Sequence, residues 1–467
     1  MASPLKPPPE PVTWSGENVS VGQILAALND IRRQFAQAEA GEDDHPRPRN
    51  CVMTLIAVAT DDTDERRARQ VCAAIASHHP SLAILVRQHA TGSGHIDATI
   101  STSAMGEAAE GKSQAGGPGQ YEVVTIHIRG AAGQHVAALV DPLLVSGVPT
   151  YLWWLDTPPF GSWELKDTMS VADAVLVDTA RFDRPHQSFL ALADLPAHSH
   201  KRLGVADFQW ARLAPWRESL AAFFAPHDRR KFMSGISEVG IDYVGDGRGN
   251  RIGAMLLAGW FGSALGWTLQ RATGGTGGVI SAQMLTPRGR VVDLAFRSVA
   301  KPSLSSGEVS AVRIAGAAAG TTFQIRMQRD PERSRRASPD IGPDEFRHLH
   351  HTGGEDDAGL ELAHRKAAQH REMLHLNKES LHHVATGHAP GESMPRRPTV
   401  LVRERRGNSS LVLLTLIDIG GADTLRHVER VEAEEEATLL LRLLATGARD
   451  DVFTRSLMAG AELARSL

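Results

Sequence analysis

Cysteine is nearly absent: two residues in 467. That excludes a disulfide scaffold and suggests a reducing compartment. A charge excess of either sign is also missing, since 50 basic and 54 acidic side chains leave a formal charge of −4. A nucleic-acid partner, which needs a clustered basic excess, is therefore not expected. No apolar core follows the proline-rich Met1 to Glu10, so no secretory signal is read there. Ile252 to Leu269 is 18 residues without a charge, at the edge of spanning length. It carries Gly253, Gly259, Gly262 and Gly266. Small residues every three or four positions suit a tightly packed buried helix, so no membrane partner is expected.

Recognisable catalytic machinery is scarce too. There is no G-x-S-x-G, no H-E-x-x-H and no CxxC. Gly106-Glu-Ala-Ala-Glu-Gly111-Lys112-Ser113 fits a phosphate-binding loop by spelling. The following Gln-Ala-Gly-Gly-Pro-Gly cannot supply the helix whose amides would face the phosphates. Glu107 and Glu110 would add negative charge, so a flexible loop is the expectation. Nine of the 21 histidines lie between His348 and His388. His364, His370 and His375 are six and five apart and fall on different helix faces, so no metal site is expected. Cys51 and Cys72 sit on apolar elements, where burial makes a thiol inert. The Gly-rich turns Gly245 to Asn250 and Gly274 to Gly278 read as loops.

What is present is an ordered run of elements. Residues 1–45 read as a flexible leader and a helix, which Ser20 opens and Ile24, Leu28 and Ile31 line. Cys51 to Val58, residues 63–78 and Ser81 to Val86 form a strand–helix–strand unit with a parallel sheet. Ile96 to Ile100, Val123 to Ile128, Thr150 to Leu155 and Ala174 to Val177 add strands. This predicts an α/β N-terminal domain with a mostly parallel sheet over 46–198. Trp210 to Phe224 then reads as one amphipathic helix. Strand-like Ile236 to Val244, Val279 to Leu285, Val291 to Phe296, Val309 to Ala315, Thr322 to Met327 and Leu411 to Ile417 predict an antiparallel sheet. An α+β C-terminal domain is expected over 199–335 with 399–467. Residues 336–398 read as a His-rich insertion or mobile arm.

Two places attract functional attention. In open α/β sheets, ligands bind beyond the carboxyl ends of the strands. Those ends carry Asp61, Asp62, Trp153, Trp154, Asp156, Asp178 and Arg181. Core tryptophans with helix caps, or a small-ligand or partner rim, both account for them. Asp207, Trp210, Arg212, Trp216 and Arg217 cluster within eleven residues. Tryptophan and arginine are enriched at interface hot spots, and a packed helix start explains them equally well.

Asp207-Phe-Gln-Trp210-Ala-Arg212-Leu-Ala-Pro215-Trp216-Arg217 resembles the signature of the OpcA family, the glucose-6-phosphate dehydrogenase assembly proteins of actinobacteria and cyanobacteria. Arg49 to Leu55, Pro149 to Trp154, Ala172 to Phe182, Leu257 to Trp267 and Asp451 to Leu457 agree in the same order. The resemblance implies a non-catalytic assembly factor or allosteric activator. Its partner would be glucose-6-phosphate dehydrogenase, in the oxidative pentose phosphate pathway of the cytoplasm, and no cofactor is expected. The rival reading is a sugar-phosphate-binding or sugar-phosphate-processing enzyme using the strand-end rim.

Overall fold

The computed structural model describes residues 12–39, 51–76, 78–89, 94–104, 120–130, 135–198, 203–245, 249–301, 304–329, 400–403, 411–420, 424–431 and 435–467. The phosphate-loop spelling at 106–113 and the histidine-rich segment lie outside the described residues, as do 246–248 and 275–278 of the two Gly-rich turns. The chain divides into two compact units, Met1–Arg212 with Glu434–Leu457, and Leu213–Ala433 with Met458–Leu467.

The first unit is built on eight strands: β1 (Val12–Gly16), β2 (Met53–Ala59), β3 (Ser81–His89), β4 (His95–Ala104), β5 (Gln120–Arg129), β6 (Thr150–Trp154), β7 (Ala174–Val177) and β8 (Gly204–Asp207). Their order is β1-β4-β5-β3-β2-β6-β7-β8. Every pair from β5 to β8 is parallel, while β4 runs antiparallel to β5 and to β1. With β4 set aside, the parallel strands stand in chain order 3-2-1-4-5-6. That is the doubly wound dinucleotide-fold order, with its switch point between β2 and β6. The continuous apolar runs of β2, β6 and β7 are buried along their full length, as a sheet covered on both faces demands.

Helices α1 (Val21–Glu39), α2 (Asp62–Ala76), α3 (Val136–Val140), α4 (Trp163–Met169), α5 (Pro185–Asp194) and α6 (Phe208–Arg212) belong to this unit. Ser20 opens α1, its hydroxyl accepting the Gln23 amide at 3.3 Å. The α2 stripe of Ala68, Val71, Cys72 and Ile75 packs on Leu55, Leu85, Trp153 and Leu176 in one core cluster. Burial pushes the Cys72 thiol up to about 12. The expected boundary at 198/199 precedes β8, a short buried strand that extends the same sheet, and the compact units divide at 212/213.

Among the described residues the second unit carries nine strands: β9 (Ile236–Val244), β10 (Thr268–Gly274), β11 (Val279–Leu285), β12 (Val291–Val299), β13 (Val309–Ala318), β14 (Thr321–Arg329), β15 (Val400–Arg403), β16 (Leu411–Ile419) and β17 (Leu425–Val431). They form one sheet, β10-β11-β12-β9-β13-β14-β16-β17-β15. It is mainly antiparallel, with parallel pairs at β12–β9 and β15–β17. Helices α7 (Ala214–Phe224), α8 (Arg230–Met233) and α9 (Ile252–Leu265) accompany it.

Two helices differ from expectation. The helix expected over 210–224 is two, α6 and α7, interrupted at Leu213 two residues before Pro215; proline cannot donate to the preceding turn. The run expected as helix to Leu269 stops at Gly266, whose φ of +68° is a left-handed helix end, and Thr268 begins β10. Among the described residues no helix is long and apolar enough to cross a membrane.

Beyond β17 the chain returns to the first unit with α10 (Glu436–Ala445) and the start of α11 (Asp451–Arg465). Leu439, Leu440, Leu443 and Leu444 of α10 join the α2 core cluster.

The second sheet hides one charge cluster. Asp242 on β9 accepts from Arg297 on β12 (Nε 3.2 Å, Nη2 2.7 Å) and from Arg313 on β13 (Nη1 2.9 Å). Burial favours the neutral Asp242 carboxyl, but the two guanidiniums win and hold it below the usual carboxylate range. Arg326, opposite Arg313 in register, has its pKa lowered by burial and by the neighbouring arginines. Asp242→Asn would leave three guanidiniums without their shared anion. We expect it to cost about 3 kcal/mol of stability in denaturant titration at pH 7. Because the folded pKa is depressed, this contribution is full above the ordinary carboxylate pKa and is lost as pH falls through the lower folded value. The variant's melting temperature should therefore fall less steeply on acidification than that of the parent.

Candidate functional site

The strand-end rim of the first sheet is where a doubly wound fold binds its ligand. A dinucleotide there rests its pyrophosphate on the amides opening the first helix, reached by a glycine-rich turn. In this chain the β2–α2 turn is Thr60-Asp61, without glycine. Asp61 Oδ1 accepts the Thr63 amide at 2.7 Å and the Asp64 amide at 2.8 Å. These bonds, the Asp64 amide first, hold the Asp61 carboxyl below its ordinary value. The first turn of α2 adds Asp62, Asp64 and Glu65. The seat for a phosphate thus holds a carboxylate of the chain itself.

Behind that turn lies a continuous ion-pair network. Asp64, nearly fully buried, accepts Arg67 Nη1 at 3.1 Å and Arg181 Nη2 at 3.0 Å. Burial raises its pKa, and a hydrogen bond with Asp156 adds to the effect. Arg67 also donates through Nε to Glu436 of α10 at 2.6 Å, pairs with the same carboxylate through Nη2, and approaches Asp178 to 3.9 Å. Its guanidinium lies 5.6 Å from the Trp153 ring centroid. Arg212 grips Asp178 with both terminal nitrogens, at 2.7 and 2.8 Å. That fork is the strong geometry for a buried carboxylate.

Asp207, at the end of β8, is fully buried beside Asp178. It accepts the Thr179 amide (3.0 Å), the Thr179 hydroxyl (2.7 Å) and the Gln209 amide (3.0 Å). Burial, reinforced by the negative Asp178, pushes its carboxyl up to about 7.

The structure brings Asp178, Arg181, Asp207 and Arg212 of the expected candidates into this one network. Asp156 joins through Thr60, whose hydroxyl donates to it. Trp153 and Trp154 are core residues, buried on β6, with Trp153 stacked 5.4 Å from Phe208. Trp210 is buried, its indole Nε1 donating to Asp450 at 2.9 Å and its ring 5.6 Å from Phe453. Trp216 is buried on α7, and Arg217 beside it is half-buried. The tryptophans of the Trp/Arg motif therefore pack the interior of the chain. Sequence reasoning missed Asp64, Arg67 and Glu436. A pair 369 residues apart leaves no local spacing signal.

Most guanidiniums of the rim are engaged, whereas Arg87 at the end of β3 pairs with Asp62 through Nη2 at 3.1 Å and keeps its buried Nε and Nη1 without a hydrogen-bond partner. Arg67, Arg181 and Arg212 each hold a carboxylate. Among the described residues no group of three or more His, Cys, Asp or Glu is arranged to hold a metal ion. A cavity of about 480 Å³ lies elsewhere, over β1, β4 and β5 on one side of the sheet, lined in part by Ser15, Glu17, Asp97, Thr99, Thr125 and His127. His127 Nε2 is engaged by Glu65 at 3.1 Å, and Glu17 and Asp97 make the lining unfavourable to a phosphate.

Two family models of the glucose-6-phosphate dehydrogenase subunit match. Residues 203–457 fit the model of its C-terminal domain, and residues 72–194 fit that of its N-terminal domain. Two cyanobacterial proteins named putative OxPP cycle protein OpcA are similar. The one from Synechocystis sp. is 33% identical over 147 residues, 32% of this chain and 30% of the relative. The one from Synechococcus elongatus is 31% identical over 197 residues, 41% of this chain and 43% of the relative. The matched stretches thus span less than half the length of these relatives. Among solved structures, KijD10, a 3-ketoreductase from Actinomadura kijaniata, aligns over 89% of this chain and 96% of its own at 9% identity and a TM-score of 0.42. No activity transfers at that distance.

The buried Asp207 makes stability depend on pH. Its folded pKa lies above the unfolded one, so the folded state binds the extra proton. Stability is then full below the ordinary carboxylate pKa and falls as pH rises towards about 7. Asp207→Asn keeps one oxygen for the two amides and removes the titration. Melting temperature followed from pH 5 to pH 8 should decline more steeply for the parent than for the variant. Parallel curves would remove the assignment of the slope to Asp207.

Proposed function

The chain belongs to the OpcA family of glucose-6-phosphate dehydrogenase subunits, and on that premise we propose that it is a non-catalytic partner of glucose-6-phosphate dehydrogenase. In this reading it binds the dehydrogenase in the cytoplasm, promotes its assembly or its active state, and so supports NADPH supply by the oxidative pentose phosphate pathway. The observation that carries the reading is the β2–α2 turn. The fold has dinucleotide-binding strand order, yet Asp61 takes the amides that would hold a phosphate, and Asp62, Asp64 and Glu65 surround them. A doubly wound scaffold is thereby turned from cofactor chemistry. The sugar-phosphate alternative relied on Asp178 and Arg181, and these are engaged by Arg212 and Asp64.

Activation by such a partner is a population shift. The chain must bind the active dehydrogenase state more tightly than the inactive one. A tenfold bias needs only about 1.4 kcal/mol of differential binding.

The test is steady-state kinetics of glucose-6-phosphate dehydrogenase from the same organism, with and without the purified chain, alongside size-exclusion chromatography. Co-elution with a raised rate or a lowered KM is expected, together with no glucose-6-phosphate oxidation by the chain alone. Separate elution with unchanged kinetics, or turnover by the isolated chain, would overturn the proposal.

A further inference from the structure

One guanidinium of the strand-end rim stands outside the ion-pair network of Arg67, Arg181 and Arg212. Arg87, at the carboxyl end of β3, is only 7% exposed. Among the described residues its ion pair is Nη2 to Asp62 at 3.1 Å, and that carboxylate is 74% exposed. Nε and Nη1 are shut from solvent and find no hydrogen-bond partner among the described residues. Buried donors of a charged group are costly to leave unmatched. Two residues on, His89 Nε2 is likewise buried and unmatched.

The strand register sets these two beside further cations. β3 and β5 pair in parallel, with Arg87 opposite His127 and His89 opposite Arg129. Alternate residues of a strand share a face, so all four side chains stand on one face of the sheet at its carboxyl end. The His89 and His127 rings lie 5.5 Å apart. Burial lowers the His89 pKa, and the positive Arg129, Arg87 and His127 lower it further, against Asp62.

The acids facing this block have other work. Asp61 Oδ1 takes the Thr63 and Asp64 amides. Glu65 is held by His127 at 3.1 Å and by Arg69 at 3.0 Å. Asp97 accepts the Asn18 amide at 3.0 Å, engages His95 Nε2 at 3.4 Å, and stands 4.0 Å from Arg129. Asp62 remains, an exposed carboxylate on one Arg87 nitrogen of three. Exposed ion pairs are weak, so an incoming anion can take its place and reach the rest of the fork.

A phosphomonoester suits this donor set better than a carboxylate. It brings three strong acceptor oxygens and a charge of about −1.5 to −2 at pH 7, and arginine forks bind it bidentately. The position fits as well. In a doubly wound fold the ribose is read about 20 residues beyond the first turn, and an arginine there accommodates a 2′-phosphate. Arg87 stands at the matching place, the end of the strand that follows α2. Asp61 occupies the pyrophosphate seat at the start of α2, whereas Arg87 lies one strand away.

We propose that the carboxyl end of β3 is an effector site for the phosphomonoester of a small metabolite, which replaces Asp62 on the Arg87 guanidinium with His89 and Arg129 beside it. The site goes beyond the partnership with the dehydrogenase and is read on this chain alone.

Calorimetric titration of the full chain with 2′-AMP, glucose 6-phosphate and inorganic phosphate tests it, with adenosine and glucose as controls. At least one ester should bind more tightly than inorganic phosphate, and its unphosphorylated control should not bind. Binding of 2′-AMP alone makes the source a nucleotide; binding of glucose 6-phosphate alone makes it a sugar phosphate. Arg87→Gln should weaken binding at least about tenfold. Asp62→Asn, at an exposed position, should tighten it, a gain that a purely structural Arg87 would not produce. In NMR titrations the His89 imidazole should titrate at higher pH once the ester is bound, because an adjacent anion favours the imidazolium. If Arg87→Gln does not fold, Asp62→Asn and Arg129→Ala carry the test, the latter with weakened binding. No binding of either ester by the parent, an ester bound no better than inorganic phosphate (an adventitious ion only), or binding unchanged by the substitutions would each overturn the site. None of these results bears on the partnership.

Discussion

The first unit depends on one guanidinium. Arg67 reaches a carboxylate on its own helix (Asp64), approaches one after β7 (Asp178) and holds one on α10 (Glu436), while lying against the Trp153 ring. The strand ends of this sheet are crowded with acids, and buried acids must be paired or protonated. Arg67, Arg181 and Arg212 pair most of them. Asp207, next to Asp178 and without an arginine of its own, takes the other course and keeps its proton up to near neutrality. Much of the rim is thus neutralised from within.

The same pairing of charge extends to the first turn of a dinucleotide-fold strand order. In a dinucleotide fold the first turn stays open so that backbone amides can meet a phosphate. Here the chain supplies its own anion through Asp61, and the helix is capped rather than liganded. The departure from a dinucleotide-binding turn is thus confined to Thr60 and Asp61, and in such scaffolds function resides in local sites of this kind.

Much of this was legible in the sequence because apolar runs and helical stripes are local signals. The strand–helix–strand start, the buried strands at 150 and 174, the Gly-rich helix at 252 and most strands of the second sheet follow from period and length alone. The parts not legible have physical reasons. β8 is four residues long and reads as a link. β10 continues an uncharged run, and only the left-handed turn at Gly266 separates it from the helix. The Asp207–Arg217 motif announced arginine and tryptophan but not their orientation. Arg212 turns inward to Asp178 and Trp210 to Asp450, whereas Trp163, in a plain polar helix start, faces water. The tie between Arg67 and Glu436 is set by tertiary folding alone.

That tie has a consequence for the ribosome. The first unit draws Leu439, Leu440, Leu443 and Leu444 into its core from a segment translated more than two hundred residues after β8. At about 5–20 residues per second, the nascent sheet waits on the order of ten seconds or more for α10. During that time Arg67 has no Glu436, and the apolar face of α2 lacks its cover. The second sheet, encoded wholly in between, can complete its pairing first. The second unit too waits for its last piece, Met458–Leu467, but its sheet does not, so the waiting face of α2 is where a trigger of misassembly or a nascent-chain chaperone would act.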